Sequence, residues 1–125
     1  MGLVGMSCVF PCEDVEKTAK FYEAKLGFRI VRHMHCQQPH VCMYRDKVEI
    51  ILIKSQNEAP VVNRELCGYG YDAYIYTSDQ AELEKKFEQA GVRIVSPLGR
   101  TDYGNDEFVV EDIDGRLIAF GLRAK

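Results

Sequence analysis

The hexapeptide Leu26-Gly27-Phe28-Arg29-Ile30-Val31 returns, with two substitutions, as Ala90-Gly91-Val92-Arg93-Ile94-Val95. Each copy follows an Asp-led, charge-rich segment of helical spacing and precedes β-rich runs. The repeated unit is therefore large enough to be a structural module, and the chain reads as one fold made twice.

Before the first copy, Met6 to Phe10 is a short apolar run that predicts a strand stopping at Pro11, where a ladder N–H is lost. Asp14 is a good N-cap for a helix whose apolar stripe is Val15, Ala19, Tyr22 and Leu26, with Gly27 as its stop. Strands are expected at Phe28 to His35, His40 to Arg45 and Val48 to Ile53, the last so apolar that both its faces should be covered. Lys54 to Gly70 holds no sustained period and reads as the connection between halves.

The second unit repeats the order. Tyr71 to Thr77 predicts a strand, and Asp79 with Glu82 resembles a capping box ahead of Leu83, Phe87 and Ala90, with Gly91 as the stop. Val92 to Ser96 predicts the next strand, Pro97 to Asn105 a loop, and Glu107 to Glu111 and Arg116 to Leu122 a closing pair joined across Asp112-Ile113-Asp114-Gly115. Two βαβββ modules, about 1–55 and 69–125, predict a single α+β domain in which one curved eight-stranded mixed sheet carries both helices on its outer side.

Bulk properties agree with one core shared by two half-size modules. The chain has 125 residues, 46% of them hydrophobic and 28% charged, so two independent domains would each be too small to bury enough surface. A net charge of −3 without any Lys/Arg cluster argues against nucleic acid. Five cysteines with no CxxC pair, together with an opening that lacks a secretory pattern, predict reduced thiols in a cytoplasm. No apolar run approaches transmembrane length, so no membrane association is expected.

Asp14 to Phe28 (DVEKTAKFYEAKLGF), Tyr103-Gly104, Glu107-Phe108-Val109-Val110 and Asp112-Ile113-Asp114-Gly115, taken in this order and with the duplication, resemble the vicinal oxygen chelate superfamily of glyoxalases, bleomycin-resistance proteins and extradiol dioxygenases. The resemblance spans nearly the whole chain. It implies a concave ligand cleft, often completed by a second subunit, and in the enzymes a divalent metal on four strand residues. Those positions fall here on Ser7, Ala73, Ala119 and, through the internal symmetry, Ile51, with Glu49 as the alternative in a shifted register. Serine, isoleucine and alanine offer no imidazole or carboxylate to a metal, so no metal and no cofactor is expected.

The expectation is a homodimeric, resistance-type protein that sequesters a small organic molecule. The enzyme alternative is a metal-dependent lyase, isomerase or dioxygenase with a displaced site such as His33, His35 and His40. Candidate ligand-binding residues are His33, His35, Glu49, Ile51, Ala73, Arg100, Tyr103, Glu107 and Ala119.

Several groups have a plainer reading beside the functional one. His33, His35, His40 and Cys42 would bind zinc or copper if the turn at Gln37 to Pro39 set His35 near His40 and His33 near Cys42; otherwise they line a polar hairpin. Glu49, inside an apolar strand, would anchor a cation, act as a base of raised pKa, or pair with a nearby Arg or Lys. Tyr69, Tyr71, Tyr74 and Tyr76 should be divided between sheet faces by strand alternation. Arg100, Asp102, Tyr103 and Glu107 border the expected cleft or are plain surface.

Overall fold

The structure, a computed structural model, describes residues 2–56 and 59–125. It divides into two compact units, residues 1–60 and 61–125. Met1, and Asn57 and Glu58 in the expected connection, lie outside the described residues.

Module one contains β1 (Cys8–Cys12), α1 (Val15–Leu26), β2 (Arg29–His33), β3 (His40–Arg45) and β4 (Val48–Lys54), in the sheet order β1-β4-β3-β2. Asp14 caps α1 by accepting from the Lys17 amide at 3.1 Å, and Gly27 ends it in the left-handed region at φ 75°. A side chain at Gly27 would also press on the Arg45 guanidinium, which donates to the Leu26 carbonyl at 2.8 Å. Thr18, Ala19, Tyr22 and Leu26 are the buried stripe of the helix, and Phe10, Val41, Met43, Ile50 and Leu52 are buried in the strands.

Alternation then sends Glu49, Ile51 and Ile53 to the other face of β4. The expected cover is complete on one face and partial on the other, since Ile50 and Leu52 are buried, Glu49 and Ile51 are half-buried and Ile53 is exposed. The apolar run marks an interior strand, with β1 on one side and β3 on the other.

Module two contains α2 (Asn63–Cys67), β5 (Ala73–Tyr76), α3 (Gln80–Gln89), β6 (Arg93–Arg100), β7 (Asn105–Glu111) and β8 (Leu117–Arg123), in the sheet order β5-β8-β7-β6. The eight strands are thus hydrogen-bonded as two four-stranded mixed sheets. Phe87 of α3 packs on Phe108 and Phe120, whose rings stack at 5.2 Å. The short α2 interrupts the expected connection: the Asn63 amide donates to Asp72 Oδ1 and the Asn63 side chain to the Tyr71 carbonyl, which ties it to its own module.

Two prolines contradict the expected strand ends. β1 runs through Pro11 and β6 through Pro97, where breakers predicted a stop. Both are edge strands, so a missing N–H can face outward without breaking the ladder. β6 also shifts register between Ile94 and Ser96 and again between Ser96 and Gly99, absorbing the irregular residues as bulges. The predicted capping box is absent too: the Asp79 side chain makes no cap bond, and the Asp79 amide instead donates to Thr77 Oγ1 at 3.0 Å.

Candidate functional site

The most developed constellation lies in module two, on the sheet face opposite Phe108 and Phe120. Register places Val109 beside Ala119, and Glu107 beside Gly121, on that face. Val109, Leu117 and Ala119 form a buried floor against which Tyr71 and Tyr74 pack. Above it is a pocket of about 840 Å³ lined chiefly by Tyr69, Tyr71, Tyr74, Tyr76, Tyr103 and Asn105. Tyr74 and Tyr76 are two apart on β5 and share a face, while Tyr69 and Tyr71 precede the strand and are free of its alternation. The expected division of the tyrosines between faces is therefore corrected: five of the seven in the chain converge.

Glu107, only 5% exposed, is the hub of this cluster. Its Oε2 accepts from the Tyr71 hydroxyl at 2.5 Å, and its Oε1 from Tyr74 at 2.8 Å and Tyr103 at 2.5 Å. Asn105 Nδ2 donates in turn to the Tyr74 oxygen at 2.8 Å. Three donated hydrogen bonds satisfy a carboxylate that burial would otherwise penalise. The phenols are altered as well: burial, then the bond to Glu107, pushes Tyr74 up to about 12, and raises Tyr71 and Tyr103 for the same two leading reasons. They are therefore neutral hydrogen-bonding groups at physiological pH and poor bases.

The other module-two candidates separate from this pocket. Ala73 precedes Tyr74 and falls on the opposite, helix-covered face, so Tyr74 occupies the pocket-facing position. Arg100 is exposed and holds Asp106 at 2.6 Å. Arg64, not among the sequence candidates, does line the pocket and donates to Glu111 at 2.8 Å.

In module one, His33 pairs with His40 and Val31 with Cys42 across the β2–β3 hairpin. This corrects the expected juxtaposition by two residues, and leaves His35 beyond the end of β2, exposed in the turn. The rings of His33 and His40 stack at 4.9 Å. Glu49 has hydroxyl partners, Ser7 and Tyr44. Those donors hold its carboxyl below the usual range, which corrects the expectation of a base with raised pKa. Tyr44 moves the other way, up to about 12, through its bond to Glu49 and then Cys42. Ile51 lies between Val9 and Cys42 in the sheet.

Of the positions that the resemblance assigns to a metal, Ser7 donates to Glu49, while Ile51, Ala73 and Ala119 have no donor atom. This set does not fit a divalent cation.

A βαβββ module made twice, each with one long helix on a four-stranded mixed sheet, defines the paired-module α+β class to which glyoxalases and drug-resistance proteins belong. The Glyoxalase/Bleomycin resistance protein/Dioxygenase superfamily matches residues 7–120, and the chain belongs to that superfamily. Among solved structures, it is similar to a glyoxalase/bleomycin resistance protein/dioxygenase from Alicyclobacillus acidocaldarius, with TM-score 0.76 and 19% identity over 98% of this chain and 92% of that one. UcmS2 gives a TM-score of 0.75 at 17% identity, covering 97% of this chain and 98% of the other. TioX from Micromonospora sp. ML1 gives 0.69 at 20%, covering 96% and 100%. No curated protein matches the sequence. Among the described residues, no helix is long and apolar enough to cross a membrane.

Proposed function

We propose that this protein binds and sequesters a flat, weakly basic organic molecule against the tyrosines of module two, without a metal at that pocket. The observation that carries the reading is the arrangement of Tyr71, Tyr74 and Tyr103 around the buried carboxylate of Glu107. Their rings offer stacking surfaces, while their hydroxyl hydrogens are already committed to Glu107. What the cluster presents to a ligand is aromatic area, phenol oxygen lone pairs and a shared negative charge, which favours a ligand with N–H donors or a delocalised cation. Phenols held neutral by burial and by Glu107 are suited to recognition more than to proton abstraction.

The homodimer belongs to the same proposal and is tested by sedimentation. Five free thiols, Cys8, Cys12, Cys36, Cys42 and Cys67, support the expected reducing, cytoplasmic setting.

The chain has no tryptophan, so its fluorescence reports tyrosine. Titration with proflavine, a planar cation, should quench it saturably, and Tyr74→Ala and Tyr103→Ala should each weaken binding by about fivefold, as expected for a ring contact of about 1 kcal/mol. Quenching that never saturates, or that both variants leave unchanged, would overturn the reading.

A further inference from the structure

We propose that His33, His40 and Cys42 form a binding site for a zinc-class divalent cation on the β2–β3 hairpin of module one. One imidazole nitrogen from each histidine and the thiol sulfur lie within 4.8 Å of one another. Strand pairing produces this grouping: His33 stands opposite His40, and Cys42, two residues along β3, shares the face of His40. These are not the positions at which the superfamily resemblance would place a metal, and the site departs from the expectation of a metal-free protein.

The donor chemistry fits. Two imidazoles and a thiolate suit a borderline-soft ion of the zinc type, and three protein ligands leave one tetrahedral position to water. Zinc to nitrogen distances of about 2.0–2.1 Å and zinc to sulfur of about 2.3 Å put neighbouring tetrahedral ligands roughly 3.3–3.6 Å apart. The three donors therefore need to close in by no more than about 1.5 Å on binding. His33, exposed at the strand end, has room to make that movement.

His40 is oriented for the task. Its Nδ1 lies 2.8 Å from the Gln38 carbonyl oxygen, which only accepts, so the proton sits on Nδ1 and the lone pair on Nε2. A backbone carbonyl that fixes the tautomer of a ligating histidine is a recurrent support in metal sites. Cys42 is 6% exposed, so its sulfur is shielded from bulk oxidants while reaching the same face. Its proton passes to solvent as the thiolate forms. Cys36 is a near neighbour with a different role: its sulfur lies 3.8 Å from His40 Nδ1, on the protonated side of the ring, and contacts the His33 and Gln38 carbonyls.

The test uses untagged full-length protein stripped with a chelator, kept reduced, and titrated with cobalt(II) alone. One cobalt per chain, a sulfur-to-cobalt charge-transfer band and displacement by zinc(II) are expected. His33→Ala and His40→Ala, both at the turn end of the β2–β3 hairpin, should each weaken cobalt binding at least tenfold while leaving the far-ultraviolet circular dichroism intact. Cys42→Ala should abolish the charge-transfer band, and Cys36→Ala should leave it unchanged. Zinc should raise the melting temperature of the parent protein and not that of the His33→Ala/His40→Ala double variant. Cobalt binding without the sulfur band, binding indifferent to both histidine substitutions, or a band lost with Cys36 instead of Cys42 would each overturn the site.

Discussion

Tyr74 passes directly over Gly121 on its way to Glu107: a methyl group at Gly121 would lie 2.5 Å from the Tyr74 hydroxyl oxygen and 2.6 Å from Glu107 Cβ. The absence of a side chain at one residue of β8 is what lets a tyrosine on β5 reach a carboxylate on β7. Gly121→Ala should therefore displace Tyr74, cost about 1–3 kcal/mol as overpacking does, and weaken proflavine binding more than Tyr74→Phe does. Urea denaturation and the fluorescence titration check the two parts.

Glu107 serves three phenols, so its removal has a cost beyond its own atoms. Glu107→Ala should destabilise the protein by about 2–3 kcal/mol, because Tyr71 and Tyr74 lose a charged acceptor in a partly buried setting while Tyr103 can turn to water. Glu107→Gln, of the same size, should recover part of the stability and little of the affinity for a cation. Equilibrium denaturation and proflavine titration of both variants distinguish packing from charge.

Alkaline pH should loosen module two through Tyr74. Its folded pKa, pushed up to about 12 from an ordinary value of 10.0, means that the folded state keeps a proton that the unfolded state gives up between these values. The associated stability is complete below pH 10 and declines as pH rises toward 12. Tyr71 and Tyr103 shift in the same direction. Denaturation midpoints measured across that range should fall less steeply in Tyr74→Phe than in the parent.

Acid acts on module one in the opposite sense. The carboxyl of Glu49 is held below its ordinary 4.5 by the Ser7 and Tyr44 hydroxyls, so its contribution is present above 4.5 and disappears as pH falls through the lower folded value. Ser7→Ala should move the Glu49 titration back upward, read by carbon NMR of the side-chain carboxyl, and should weaken stability mainly in the neutral range.

The turn between β7 and β8 rests on Arg116, 3% exposed, which donates to Asp112 at 3.0 Å and Asp114 at 2.9 Å. Arg116→Ala leaves the buried Asp112 carboxylate without its cation and should cost about 3–5 kcal/mol. The exposed Arg32 and Glu16 pair, although bidentate, should leave the urea midpoint nearly unchanged on Arg32→Ala, because solvent screens it. Parallel urea titrations give the comparison.

The periodic parts of the sequence were the legible ones. Asp14, Gly27 and the stripe of Ala19, Tyr22 and Leu26 state α1 almost residue by residue, because caps and 3.6-residue spacing are local signals. Pro11 and Pro97 misled, because whether a proline ends a strand depends on its place in the sheet, which is not a local property. The pocket was half legible. Tyr103 and Glu107 were candidates from the closing hairpin, yet Ala73 stood in for Tyr74, because shifting a register by one residue exchanges the faces. The convergence of Tyr69 and Tyr71 with Tyr74 and Tyr76 came from the loop before β5, where alternation does not apply. The repeat itself carries one further signal: Ile118 and Phe120 face α3 as Ile50 and Leu52 are buried in module one, so counting from those strands identifies the open faces.

The two prolines that the strands absorb have an effect outside each sheet. An edge whose N–H row is interrupted is a poor template for another chain to add a strand, and Pro11 on β1 and Pro97 on β6 interrupt one edge of each sheet. Bulges at Ser96 and Gly99 roughen the second of those edges further. Strand-by-strand growth into fibres is discouraged at both, which leaves the opposite edges and the side-chain faces as the easier routes for copies of this chain to meet.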